Sequence, residues 1–185
     1  MFAHGYCTDF YIADDIADDE QMFHGASTFC EILVRTLERV RCICESRGQS
    51  FPEDLVVQSD NTTTQAKNAE CSMLLAILVR KFKFQSAVLN FLRVGHTHED
   101  VDQMFAYLLT KVFRRFTFQR PVELADAIRA NMRRLIANRG EELVVEHLTH
   151  IRNFQAWMDV LHLTLSNCFM KRSGIDPPHF FIFKF

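Results

Sequence analysis

Leu55-Val56-Val57-Gln58-Ser59-Asp60-Asn61 and Ala87-Val88-Leu89-Asn90-Phe91-Leu92 each open on a short apolar run, and a helical stretch separates them. Between Ala66 and Phe84, Met73, Leu74, Ile77 and Leu78 recur at helical spacing and are expected to face inward. Strand, helix, strand in that order predicts a parallel βαβ unit with a right-handed crossover. The first run leads into Asp60-Asn61. The second leads into Gly95-His96-Thr97-His98-Glu99-Asp100-Val101-Asp102. In open α/β sheets, ligands gather beyond the carboxyl ends of the strands. Neighbouring strands lie about 5 Å apart, so both polar motifs are expected at one sheet edge, as part of a candidate metal site.

Working outward, Phe2 to Ala13 reads as extended chain with a turn at His4-Gly5, and the acidic stretch Asp14 to Glu20 as a loop. Ala26 to Arg47 is a predicted helix, with Phe29, Ile32, Leu33, Thr36, Leu37, Val40 and Ile43 on one face and Gly48 as its stop. A helix from about His98 to Phe116 follows the second strand. Pro121 sits in the first turn of another that reaches Asn138. Glu141 to His147 fits neither period cleanly. Phe154 to Leu165 reads as helix, and the aromatic run Phe180 to Phe185 as a final strand. The whole of 1–185 is read as one α/β domain.

Helical geometry sorts the second motif. Thr97-His98-Glu99-Asp100 fits a capping box, with Thr97 as N-cap and Asp100 as the reciprocal acid. With about 100° per residue and His98 at zero, Asp102 falls at about 40° and Asp100 at about 200°. The expected inward stripe is Val101, Phe105, Leu108, Leu109 and Val112, and Asp102 borders it. Asp102 is therefore preferred to Asp100 as a metal ligand. His98, four residues before Asp102, is better placed than His96 for an auxiliary role. Taken alone, Asp60-Asn61 also reads as an ordinary turn.

The charges are segregated although the net charge is only -2. Met1 to Glu31 contains seven acids and no Lys or Arg, whereas Lys111 to Arg139 contains eight bases against Glu123 and Asp126. Arg114, Arg115, Arg129, Arg133 and Arg134 are the candidate nucleic-acid contacts of that basic stretch, whose plainer reading is a solvated helix face. Six cysteines occur without a CxxC pair. No signal peptide or membrane-length apolar run is present. The expectation is an intracellular protein with reduced thiols and no membrane partner.

Two enzyme classes fit parts of this pattern. His96, His98 and Asp100 match three of the four positions of the metallo-β-lactamase signature HxHxDH, but Val101 stands at the fourth and the downstream sequence is helical. An RNase H-like nuclease or integrase core instead needs acids after strands and on a following helix. There they hold two metal ions that activate the attacking oxygen and stabilise the leaving one. Hard oxygen ligands suit Mg²⁺ (or Mn²⁺).

The Asp60-Asn61, Lys67-Asn68 and Gly95-His96-Thr97-His98 motifs occur in that order, with Trp157 and Pro178-His179-Phe180-Phe181 downstream. Together they make the chain resemble a eukaryotic domain family of unknown function, over roughly His4 to Phe183. That family itself resembles transposase-derived, RNase H-like integrase cores. The resemblance implies a DDE/D-type site, with Asp60 as second acid and Asp102 as third. Asn61, Lys67, Asn68, His96, His98 and Asp100 would be auxiliary, DNA the partner and the nucleus the location. It also implies a first acid on an earlier strand, for which Asp9, Asp14 and Asp15 come too late. The chain is thus expected to begin inside the domain, after the first strand, and to be an incomplete metal-dependent transposase-like protein. A non-catalytic nucleic-acid or protein-binding remnant is the alternative.

Overall fold

The computed structural model describes residues 1–13, 26–59, 69–91, 100–154, 156–157 and 180–184. They form a mixed α/β structure with two three-stranded sheets. The chain divides into two compact units. One comprises Met1–Met22, Ile32–Gln49 and Thr97–His150, the other Phe23–Glu31, Ser50–His96 and Ile151–Phe185.

In the first unit, β1 (Phe2–Ala3) turns at Gly5, whose φ of 79° favours glycine, into β2 (Cys7–Ala13). Helix α1 (Ala26–Ser46) contributes its larger, C-terminal part. There it buries Leu33, Val34, Leu37, Val40 and Ile43, largely the stripe read from the sequence. The helix after the second motif is α3 (Asp100–Leu108), continued by a π-helical turn, Leu109–Phe113, in which Arg114 N–H reaches back to the Leu109 carbonyl at 3.0 Å. Pro121 opens α4 (Pro121–Ala137) at its first position. Gly140, at φ 71°, turns the chain into β5 (Glu142–Leu148), which resolves the ambiguous stretch as a strand. β5 pairs in parallel with all of β2, from Cys7↔Glu142 to Ala13↔Leu148, and β1 pairs antiparallel to β2.

Met104, Leu108, Val112, Ala125, Ile128, Met132, Ile136 and Val145 make the core of this unit, with Phe10 and Ile12 of β2 against it. The α4 members step by three and four residues, as a helix that buries one face must. The α3 stripe differs from expectation. Leu108 and Val112 are buried, but Val101, Phe105 and Leu109 are exposed, and Met104 takes the inward place. The helix is rotated so that the Met104–Leu108–Val112 row meets the core. A π turn takes more than four residues, so it keeps Val112 in line with Leu108 instead of letting the row drift.

The second unit contains β3 (Asp54–Ser59), α2 (Ala69–Phe82), β4 (Ser86–Phe91) and β6 (Phe180–Lys184). β4 is the middle strand. It pairs in parallel with β3 across α2, the expected βαβ arrangement, and antiparallel with β6. Its alternate residues Ala87, Leu89 and Phe91 are buried, as are Cys71, Leu74, Leu75, Leu78 and Val79 of α2. Ile77, expected inward, is exposed, because Leu75 occupies the buried side of α2 instead. Lys83, at φ 59°, ends α2, and the buried Phe84 then packs with Phe51 and Phe82. On the opposite sheet face Val56 is 66% and Ile182 54% exposed. Arg152 donates to the buried Glu31 at 2.7 Å, and the thiols of Cys30 and Cys71 touch at 3.8 Å.

Candidate nucleic-acid interface and the acidic residues

Three groups of polar residues bear on function. The first is the pair of strand-end motifs. Asp60, Asn61, Lys67, Asn68, His96 and His98 lie outside the described residues, as does the side chain of Asp100. Asp102 is described. It lies in the first turn of α3 and is exposed, because the rotation that buries Met104 carries it away from the core boundary. Among the described residues, no three His, Cys, Asp or Glu side chains converge as a metal ion would require.

The second group is the basic stretch. Arg114 and Arg115 follow the π turn, and Arg129, Arg133 and Arg134 project from α4, all exposed. Arg129 is partly engaged: it pairs with Asp126 at 2.8 Å and donates to the Val145 carbonyl at 2.7 Å. Arg120 is held by Glu123 at 2.9 Å, and hydrogen bonds from Gln119 and Arg120 keep the Glu123 carboxyl below its ordinary range. Arg114, Arg115, Arg133, Arg134 and Arg139 make no ion pair with any described residue. Since the side of α4 carrying Ala125, Ile128, Met132 and Ile136 is buried, its arginines are left to solvent.

Sequence reasoning missed the third group, a polar cluster beneath α1. Asp9 lies mid-strand in β2 and is only 1% exposed. Its Oδ2 accepts from Thr36 at 2.9 Å and from Tyr11 at 3.0 Å, with Arg39 Nε at 3.6 Å. Asp9 Oδ1 has no hydrogen bond among the described residues. Arg39 also pairs with Glu146 at 3.2 Å, and Arg35 pairs with the same carboxylate. Burial opposes the Arg39 charge, but Asp9, Tyr11 and Glu146 more than offset it and hold its pKa above the ordinary value. Burial, with the charge of Asp9, pushes the Cys7 thiol up. Burial also pushes the Tyr11 phenol up. The cluster balances its own charges, Asp9 and Glu146 against Arg35 and Arg39. The signal in the sequence was an Asp directly before the largely apolar Phe10-Tyr11-Ile12-Ala13 end of a strand.

The described cysteines, at 7, 30, 42, 44 and 71, are free thiols. No described helix is long and apolar enough to cross a membrane. The sequence profile described as "Domain of unknown function (DUF7869)" matches residues 4–184. No curated protein and no solved structure matches the chain.

Proposed function

We propose, from the premise that the chain belongs to the family of the domain of unknown function DUF7869, that it is a transposase-like domain that binds DNA through the arginines of its first unit. The observation that carries this reading is the set of exposed guanidiniums at Arg114, Arg115, Arg133, Arg134 and Arg139, none paired with a described residue. With no described carboxylate to neutralise them in place, these guanidiniums keep their donors open to phosphate oxygens. The parallel β3–α2–β4 unit supports the finer fold reading, an RNase H-like core.

Displacing counterions from about five phosphates gives a salt slope near -4.5, so affinity for duplex DNA should fall about 10²- to 10³-fold between 50 and 200 mM salt. Fluorescence anisotropy on labelled duplex checks this, and the double variant R133A/R134A should flatten the slope by about two. Salt-independent binding, or none at low salt, would exclude the reading.

A catalytic role for the same domain is the second reading, favoured by the solvent-open position of Asp102. In it Asp102 contributes a carboxylate ligand for Mg²⁺ or Mn²⁺ in phosphodiester cleavage or strand transfer. Titration with Mn²⁺ should then broaden NMR signals around Asp102 in the wild type but not in D102N. Unchanged signals in the wild type would remove the metal site.

A further inference from the structure

Phe113-Arg114-Arg115-Phe116-Thr117-Phe118-Gln119-Arg120 joins the π turn to α4. Phe113 is 45% and Phe116 51% exposed. Phe118 is half-buried against the Met104–Val145 core and anchors both. Its ring lies 6.5 Å from Phe113 at an interplanar angle of 87°, and 6.2 Å from Phe116 at 39°. The three rings therefore form a cluster without stacking face to face on one another, and two of them remain open to solvent. In sequence, Arg114 and Arg115 lie between Phe113 and Phe116, and both are exposed. No acid occurs from Gln103 to Val122, so the nearest downstream carboxylate is Glu123, which Arg120 occupies.

We propose that this turn is a stacking site for unpaired nucleobases, a subsite of the nucleic-acid surface that rests on the reading above. An exposed phenyl ring gains by covering its face with another flat apolar surface, and every base offers one. Exposed guanidiniums on the same turn suit the phosphates that follow each base along a strand. Duplex DNA keeps its bases stacked inside, so it engages the arginines but not the rings. The predicted ligand is single-stranded DNA or RNA, or an unpaired end or bulge of a duplex. The neighbouring Val101, Phe105 and Leu109 are exposed too, but no cation is interleaved with them. They are not assigned to the site.

The test compares F113A/F116A with the full-length wild type on a labelled oligothymidylate and on a blunt duplex of equal length. Base–aromatic stacking is strong enough that the double variant should bind the single strand at least about tenfold more weakly. Duplex affinity should change less than about twofold. Far-UV circular dichroism must match the wild type, as expected for exposed positions. F116W provides an independent readout: it should retain single-strand affinity, and its added indole fluorescence should be quenched by the oligothymidylate. Unchanged single-strand binding by F113A/F116A, or equal losses on both ligands, overturns the stacking site while the duplex reading stands. No binding of either nucleic acid by the wild type overturns both. A concentration-dependent dimer that F113A/F116A converts to monomer, with single-strand affinity untouched, would assign the rings to a second copy of the chain instead.

Discussion

In the β2–β5 pair of the first unit, the side turned to α1 carries Asp9, Tyr11 and Glu146, bound to Thr36, Arg39 and Arg35. In the β3–β4 pair of the second unit, β4 buries Ala87, Leu89 and Phe91 instead. Both pairs are parallel and six or seven residues long. Their difference separates two ways of fixing a strand. Apolar burial is non-directional and scales with area removed from water. A buried carboxylate must meet particular hydrogen-bond donors, and its desolvation cancels much of what it gains. The apolar pair is thus expected to supply more stability per residue, and the polar pair more specificity of register. Sliding β2 by one position would turn Asp9 toward the side where Phe10 and Ile12 meet the apolar core.

Mutations can break this comparison. The largest effect is expected from L89A, which empties a fully buried site in the middle strand and should cost about 3–4 kcal/mol. Denaturant unfolding measures it, and hydrogen exchange should show protection lost first in β3, β4 and α2. D9A removes the acceptor of Thr36 and Tyr11 and uncovers Arg39, at about 3 kcal/mol. If D9A proved neutral, the cluster would not hold β2 at all.

Alkaline titration comes next. Burial holds the Cys7 thiol protonated in the fold well above its ordinary 9.0, whereas in the unfolded chain it ionises near that value. Its stabilisation is complete below pH 9 and is lost as pH rises further, at about 1.4 kcal/mol per pH unit. C7A should therefore make the alkaline fall in stability shallower, as read by unfolding at pH 8, 9 and 10. The smallest effect belongs to E146Q. Its carboxylate is 30% exposed, so loss of its pairs with Arg35 and Arg39 should cost less than about 1 kcal/mol and shrink with salt. An effect of E146Q as large as that of D9A would mean the whole cluster acts as one network.

The sequence carried the βαβ unit well, because β3 and β4 are short apolar runs bounded by turn residues and α2 repeats at helical spacing. Pro121 marked the start of α4 for a local reason, its fixed φ. Glu141 to His147 was locally ambiguous, and pairing with β2 decided it. The face of α3 was misread for a related reason. Val101, Phe105 and Leu109 form one apolar row, and Met104, Leu108 and Val112 another. Local sequence does not say which row finds a core, and a π turn alters the spacing. Asp9 was counted with the N-terminal acids and set aside as too late for a first metal-binding acid, because nothing local marks a strand carboxylate as a buried acceptor for a distant helix. Of the strand-end acids, only Asp102 has a described side chain, and its exposure follows from the same rotation of α3.

The strand pairings also set a schedule. Ser86 of β4 meets Lys184 of β6, and Cys7 of β2 meets Glu142 of β5, each about a hundred residues apart or more along the chain. A ribosome would release β2 and β4 long before their distant partners emerge, leaving one flank of each strand unpaired meanwhile. Contacts of such long separation slow folding, because the loop must close before any bond rewards it. During synthesis, the flank of β4 that awaits β6 is where a chaperone, or another nascent copy, would find an open strand to bind.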